Sequence, residues 1–322
     1  MFNFLFGAKA NAVYSLFTGS FKLLGEENVR ALLFSRLYFS LIMHGLALVA
    51  LAMVSFHFHT GWGVFLLVIL LLVIYPYSFF YHIRARARQT WFAYAKITQH
   101  ADPITEAGRM VAKQKWTLRL FAVVELFLSN ADSQQSNQQG GLMRFLVATA
   151  LAALDGIYKI AESYLLPAVV IERLSLENAA QKLRQLKDHI PSTLAGSFGL
   201  DIFGGVVSSV VSLLYLALLA LGASLAWFLP QWGLVSQNYT ITLHGTAPAA
   251  DVYIFVFPVL CALVLASTIR RAIKIVVTSL QATYFAIFYT RLNFPDAIAP
   301  DMRGDVEGYL QAPAADGGAT NS

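Results

Sequence analysis

The chain has 322 residues, of which 57% are hydrophobic and 13% charged, and its mean hydropathy is +0.59. A water-soluble globular protein carries about 25% charged residues, so this composition excludes a cytosolic enzyme, a disordered protein and a nucleic-acid-binding domain. The one cysteine, Cys261, excludes an intrachain disulfide and leaves no thiol cluster for zinc or iron–sulfur. The composition therefore indicates a chain whose apolar surface faces lipid.

Six stretches are predicted to cross a membrane as helices, because about 20 apolar residues cover its hydrocarbon core. Four of them contain no Asp, Glu, Lys or Arg, and the other two hold a few ionisable residues. The predicted fold class is an all-α, polytopic transmembrane helical bundle with cytoplasmic amphipathic helices. In chain order the predicted spans are residues 37–56, 62–83, 116–129, 145–171, 202–230 and 252–269.

Lysine and arginine are concentrated in alternate segments between these spans. The intervening loops, residues 57–61, 130–141 and 231–251, contain no Lys or Arg. Of the 23 basic residues 20 lie in the other segments, Arg119 and Lys159 lie inside predicted spans, and Arg144 lies directly before span 4. Cytoplasmic loops collect positive charge. We therefore expect a multi-pass protein of the bacterial inner (cytoplasmic) membrane with both termini in the cytoplasm.

Three regions are distinguished along the chain. Residues 1–36 are predicted to form a cytoplasmic amphipathic segment, residues 37–310 the six-span domain and residues 311–322 a disordered tail. Residues 270–292 fit a seventh span, an in-plane helix or a continuation of the last span. The charge rule disfavours the seventh span, because it would place the tail outside.

Two cytoplasmic helices have recognisable starts. Asp102 can cap a helix in which Pro103 occupies the first turn, and Ser175 precedes an amphipathic stretch that Pro191 is expected to end. Together with an N-terminal amphipathic segment, these helices suggest a threefold repeat of a lead helix followed by a hairpin; chance similarity is the alternative. Each lead helix could instead anchor to anionic lipid through its basic face.

Ionisable residues within spans are the first candidates for a transport path, because each costs about 2.5–3.5 kcal/mol at mid-span. Asp155, Lys159 and Glu162 share one face of span 4, and Glu125 of span 3 could join them. These four residues would carry a net charge of −2, which favours cations or a proton relay. The alternative is a self-neutralised cluster buried against a neighbouring helix.

Prolines and small residues give weaker signals. Pro76, Pro167 and Pro258 are candidate hinges, although prolines in membrane helices often serve packing alone. A small-xxx-small pattern in span 5 predicts close helix packing rather than a ligand site. Its members are Gly204, Gly205, Ser208 and Ser209.

The sequence lacks the common catalytic and metal-binding motifs. The seven histidines form no HExxH or Cys-x-x-Cys-His motif, and no phosphate loop or nucleophile elbow occurs. We therefore expect no enzyme activity, no metal and no cofactor. The expected partners are membrane lipid, including anionic lipid at the cytoplasmic face, and further copies of this chain, but not nucleic acid.

Two stretches, residues 102–116 and 164–200, resemble an uncharacterised family of six-span prokaryotic integral membrane proteins (a domain of unknown function). Residues 283–295 are similar to the Tyr-rich end of that family's last span. The resemblance implies six-span architecture and no activity, and the charged span 4 departs from it. The matching positions are Asp102, Pro103, Thr105, Pro167, Val169, Glu172, Ala179, Leu183, Gly196 and Gly199.

Two functions are consistent with these features. The first is a channel or transporter for ions or small solutes, with its path beside the span 4 charges. The second is a non-catalytic membrane scaffold or lipid-organising protein acting through its basic amphipathic helices. The charges within the spans favour transport.

Overall fold

The computed structural model describes residues 20–134, 164–185, 190–236, 240–243 and 252–300. In this part of the chain the all-α prediction is confirmed, apart from two three-residue strands that pair antiparallel with Ile241 opposite Ile254. The elements are α1 (Glu27–Ser55), α2 (Thr60–Ile97), α3 (Pro103–Lys113), α4 (Lys115–Gln134), α5 (residues 164–171), α6 (Leu176–Gln185), α7 (Ile190–Gln231), β1 (Ile241–Leu243), β2 (Val252–Ile254) and α8 (Phe257–Asn293).

Three helices of the described residues are long and apolar enough to cross a membrane. They are α1, α2 and, within α7, Ser209–Gln231. They coincide with the predicted spans 1, 2 and 5. The predicted number of six spans is not confirmed: α4 and α8, which hold predicted spans 3 and 6, are not among the three, and residues 145–163 of span 4 lie outside the described residues.

The last helix settles the interpretation of residues 270–292. Helix α8 runs without a break from Phe257 to Asn293, so these residues continue the last predicted span as one helix. The predicted start of that span at residue 252 is wrong, because Val252–Ile254 forms β2. Val252, Tyr253 and Ile254 are β-branched or aromatic and suit a strand as well as a span.

The two predicted helix starts are confirmed. The side chain of Asp102 accepts the Thr105 amide at 3.2 Å, and Ser175 Oγ accepts the Asn178 amide at 3.3 Å. The end predicted at Pro191 is wrong. Pro191 lies in the first turn of α7, where its missing N–H breaks no helical hydrogen bond.

The chain divides into two compact units. Unit 1 comprises Met1–Phe34, Phe79–Ile202 and Val277–Ser322, and unit 2 comprises Ser35–Ser78 and Phe203–Val276. Unit 2 therefore contains most of α1, the first half of α2, most of α7 and the first half of α8. Unit 1 contains the other parts of these helices together with α3 to α6.

Unit 2 is built from two helical hairpins, each of which closes at a glycine. A Cβ on Gly63 would lie 2.9 Å from Val54 Cγ2 and 3.0 Å from the carbonyl oxygen of Ala50. A Cβ on Gly222 would lie 2.8 Å from Ala262 Cβ, so only glycine allows α7 and α8 to approach this closely. Large apolar side chains cover the outside of this unit, as expected for a surface in contact with lipid.

Unit 1 has a different interior, because fully buried polar side chains lie among its apolar ones. Gln89 and Thr90 on α2 are 0% exposed, as are Ser279, Thr283 and Thr290 on α8. Gln89 Nε2 donates to the carbonyl of Ser279 at 3.0 Å. Aromatic contacts add to this core, with the Tyr164 ring edge-on to Phe285 at 5.1 Å between centroids.

Candidate functional site

The span 4 candidates Asp155, Lys159 and Glu162 lie outside the described residues. Glu125 lies in α4, where only the course of the main chain is described. The structure therefore neither brings these four residues together nor separates them. The polar stripe on span 4 stays a prediction.

The three hinge candidates lie in different settings. Pro76 follows a π-helical segment, Leu70–Ile74, in which the Tyr75 amide bonds to the carbonyl of Leu70; such a bulge is a known accommodation of proline in a helix. Pro167 is buried in α5 of unit 1. Pro258 lies in the first turn of α8, where proline requires no kink.

The small residues predicted to pack span 5 all lie in α7. Ser209 is exposed, and the surroundings of Gly204, Gly205 and Ser208 lie outside the described side chains. The close approaches that the structure does describe are at Gly63 and Gly222 instead. The pattern in the sequence did not indicate these two positions, because their partners are on other helices.

A buried polar stripe runs along α1 inside unit 2. Arg36, Ser40 and His44 are spaced by four residues and are 2%, 3% and 8% exposed. This spacing places them on one face of the helix over about 12 Å. Polar groups buried along a candidate span are costly, so the stripe is the main candidate functional feature among the described residues.

His44 joins this stripe to α8. Its Nδ1 lies 2.7 Å from the carbonyl oxygen of Ser40, and its Nε2 lies 3.3 Å from Ser267 Oγ. A carbonyl oxygen only accepts hydrogen bonds, so Nδ1 carries the proton and Nε2 of the neutral ring accepts from Ser267. The ring orientation is thus determined by hydrogen bonds on both sides.

Arg271 extends the polar surface of α8 by one turn. It follows Ser267 by four residues, and its Nη2 donates to Ser78 Oγ of α2 at 2.8 Å. Ser78 Oγ in turn donates to the carbonyl of Tyr75 at 2.6 Å. Polar residues of three helices, α1, α2 and α8, therefore belong to one cluster in unit 2.

Beyond His44 the buried side chains that the structure describes in unit 2 are apolar up to a cluster of three phenylalanines, in which Phe255 is 4% and Phe56 40% exposed. The ring of Phe56 lies 5.5 Å from that of Phe255 and 5.2 Å from that of Phe257, between centroids. Phe56 follows His44 by twelve residues, or about 18 Å of helix. The stripe and this apolar stretch together match the thickness of a hydrocarbon core, about 30 Å.

In unit 1 a charged cluster joins the loop after α5 to α6 and α8. Glu172 Oε1 accepts hydrogen bonds from Lys182 Nζ and from the hydroxyl of Tyr289. The Lys182 ammonium also lies 5.7 Å from the centre of the Tyr289 ring. Burial, and then the bond to Glu172, raise the pKa of the Tyr289 phenol above its ordinary value.

The loop that carries Glu172 has a strained main chain. Arg173 has a φ of +61°, and the Leu174 amide turns back to the carbonyl of Ala168 at 3.5 Å. Arg173 thus ends α5 in the left-handed conformation, which glycine usually takes at the end of a helix. The turn places Glu172 where Lys182 and Tyr289 reach it.

A cleft of 320 Å³ is the second polar feature of unit 1. Lys96 and Glu26 form an ion pair across it at 3.2 Å, and His100 Nδ1 lies 3.0 Å from Glu106 Oε2 beside it. In its lining Glu26 and Lys96 thus neutralise each other, and Glu27 is a further carboxylate. No group of three or more His, Cys, Asp or Glu that could hold a metal occurs among the described residues.

Comparison of the chain with protein families, with curated proteins and with solved structures found no match. The resemblance to a six-span family therefore stays an expectation.

Proposed function

We propose that the protein transports or conducts ions or small solutes across a bacterial inner membrane, with both termini in the cytoplasm. The observation that carries this proposal is the buried stripe Arg36–Ser40–His44 in a candidate span. Burying an arginine at the cytoplasmic end of this span and a histidine within it costs free energy. We take the function of these buried polar residues to be the lining of a path for polar solutes.

The apolar stretch between His44 and Phe56 would be the barrier of this path. Hydrophobic constrictions can gate a pore by excluding water. The three rings of Phe56, Phe255 and Phe257 would close the path at its apolar end, and their separation would open it. Association of several copies around this path is part of the proposal.

The alternative is a membrane scaffold that binds lipid through its amphipathic helices. The burial of those helices argues against it. On α3, Ala107, Met110 and Val111 are 1%, 3% and 5% exposed, and Ala179 on α6 is 1% exposed. The apolar face of α3 is thus occupied within unit 1, whereas on α6 Ala179 is buried and Ala180 is exposed. The exposed Arg270 and Lys274 on α8 are the observation that still favours binding to anionic lipid.

A gain of function tests the transport proposal. The protein is reconstituted into liposomes, and the flux of ions and small solutes is compared between wild type, Phe56→Ala and Phe58→Ala. Phe56→Ala removes the ring shared by both contacts, so we expect faster flux, whereas Phe58 is 64% exposed and its loss should change nothing. If neither wild type nor Phe56→Ala exceeds protein-free liposomes for any solute, the proposal is wrong.

A further inference from the structure

We infer that the polar stripe of unit 2 binds small inorganic anions, an inference that rests on the proposed transport function and names its substrate class. Unit 2 carries a net positive charge. Residues 35–78 and 203–276 contain four basic residues, Arg36, Arg270, Arg271 and Lys274, and one acidic residue, Asp251. The difference, 4 − 1 = +3, gives a positive field that attracts anions and repels cations.

The basic side chains in this region are hydrogen-bond donors, which suit an anion better than a cation. A cation needs oxygen acceptors in place of its water, whereas an anion needs N–H and O–H donors. Two acceptor oxygens in this region are engaged: the Ser40 carbonyl accepts from His44, and the Tyr75 carbonyl accepts from Ser78. The guanidinium groups of Arg36 and Arg271 supply donors only.

The stripe also contains a buried hydroxyl group that has no hydrogen-bond partner among the described residues. Ser40 is 3% exposed, and its Oγ is buried without a hydrogen-bond partner among the described residues. Arg36 lies one turn before Ser40 and His44 one turn after it, on the same face of α1. A buried hydroxyl without a partner is costly, and an anion beside Ser40 and Arg36 would accept its hydrogen bond.

The stripe therefore differs in sign from the site predicted on span 4. Asp155, Lys159, Glu162 and Glu125 together would favour cations, whereas every ionisable group of the stripe is basic. A single path selects either cations or anions, so only one of the two sites can determine its selectivity. We assign that role to the stripe of unit 2.

Binding is tested first, without reference to flux. Thermal unfolding of the detergent-solubilised full chain is followed in potassium chloride and in potassium gluconate at equal ionic strength, since a ligand of the native state raises the midpoint. We expect chloride to stabilise the wild type. Ser40→Ala removes no described protein contact of Oγ and should weaken chloride binding about threefold to tenfold.

Arg271→Gln and Arg270→Gln form a matched pair on α8. Arg271 reaches Ser78 inside the unit, whereas Arg270 is exposed. Loss of a unit charge within about 10 Å at an effective dielectric constant of about 20 should weaken chloride binding about tenfold for Arg271→Gln. Arg270→Gln should bind chloride as the wild type does. Equal binding by wild type, Ser40→Ala and Arg271→Gln would overturn the inference.

Flux then separates this inference from the proposed function. Liposomes of phosphatidylcholine alone are used, so that no anionic headgroup competes with the supplied anion. Flux that follows chloride and falls in Arg271→Gln supports both. If potassium flux stays the same when gluconate replaces chloride, the anion inference is wrong and the proposed transport function stands. Chloride binding without any flux supports the inference and contradicts transport. Stabilisation in detergent by added anionic lipid, without any stabilisation by chloride, would assign the stripe to a lipid headgroup and overturn the inference.

Discussion

The side-chain amide of Gln89 donates to the main-chain carbonyl of Ser279 at 3.0 Å, and to Thr283 Oγ1 at 3.3 Å. Gln89 is 0% exposed, so this pair of bonds joins α2 to α8 in a place that water does not reach. Its Oε1 has no hydrogen-bond partner among the described residues. The side chain therefore acts as a donor, and unit 1 depends on its N–H groups.

Gln89→Met and Gln89→Glu test this dependence. Methionine keeps the volume and should lower the free energy of unfolding by about 1 kcal/mol, because Ser279 O still accepts from Thr283 Oγ1 at 3.0 Å. Glutamate should cost more, because a carboxylate would face that carbonyl. Once protonated, the introduced carboxyl group could donate again, so the deficit of Gln89→Glu should shrink as the pH falls. Melting at pH 5 and pH 8 measures this, and a pH-independent deficit contradicts it.

The buried tyrosines of unit 1 predict a loss of stability in alkali. Burial raises the pKa of both Tyr284 and Tyr289, so in the native state they stay protonated where unfolded tyrosine ionises. Their contribution is complete below the unfolded pKa of about 10 and is lost as the pH rises above it. Melting between pH 8 and pH 11 should show this fall, and Tyr289→Phe should reduce its slope. An unchanged slope would mean that Tyr289 titrates as an exposed tyrosine does.

Glu172→Gln tests the charged cluster around Tyr289. It removes the carboxylate that accepts from both Lys182 and Tyr289, and should lower the free energy of unfolding by about 1–3 kcal/mol. Glu177→Gln is the control, because Glu177 is exposed at the start of α6. Equal melting temperatures for the two variants would show that the cluster contributes nothing.

The close approach of α7 and α8 makes Gly222 intolerant of a side chain. Gly222→Ala places a Cβ 2.8 Å from Ala262 Cβ and 2.9 Å from the Pro258 carbonyl oxygen, so we expect a loss of about 1–3 kcal/mol. At Gly45 on α1 nothing lies within 4 Å of an added Cβ. Gly45→Ala should therefore be neutral or stabilise by up to about 1 kcal/mol. Thermal melting compares the two, and similar effects would contradict the packing described here.

The predicted topology can be tested with single cysteines. Cys261→Ser gives a chain without cysteine, into which His57→Cys or Ala101→Cys is introduced. Both positions are exposed. A membrane-impermeant maleimide should label the His57→Cys chain in intact cells and the Ala101→Cys chain only after the membrane is permeabilised. The reverse pattern would place the termini outside.

Local patterns predicted those features that depend on neighbours in the chain. The apolar runs located α1, α2 and the second part of α7, and Asp102 and Ser175 were recognisable as caps because a cap bonds to residues three positions away. The start of α8 was placed too early, since β-branched residues such as Val252 suit a strand and a span equally well. The hydrophobic pattern thus predicted which segments are apolar helices, but it did not predict every helix boundary.

The functional candidates depended on contacts that no local pattern contains. Sequence alone determined that this is a membrane chain, which segments are apolar enough to span, and where its charges lie. Only the tertiary structure showed that Arg36, Ser40 and His44 are buried and that His44 meets Ser267 of α8, 223 residues away. Likewise Glu172 meets Tyr289 across 117 residues. The free-energy cost of burying a polar group, and the role it can have, depend on the groups that it contacts. Those contacts are made by segments far apart in the sequence, so only their packing determines them.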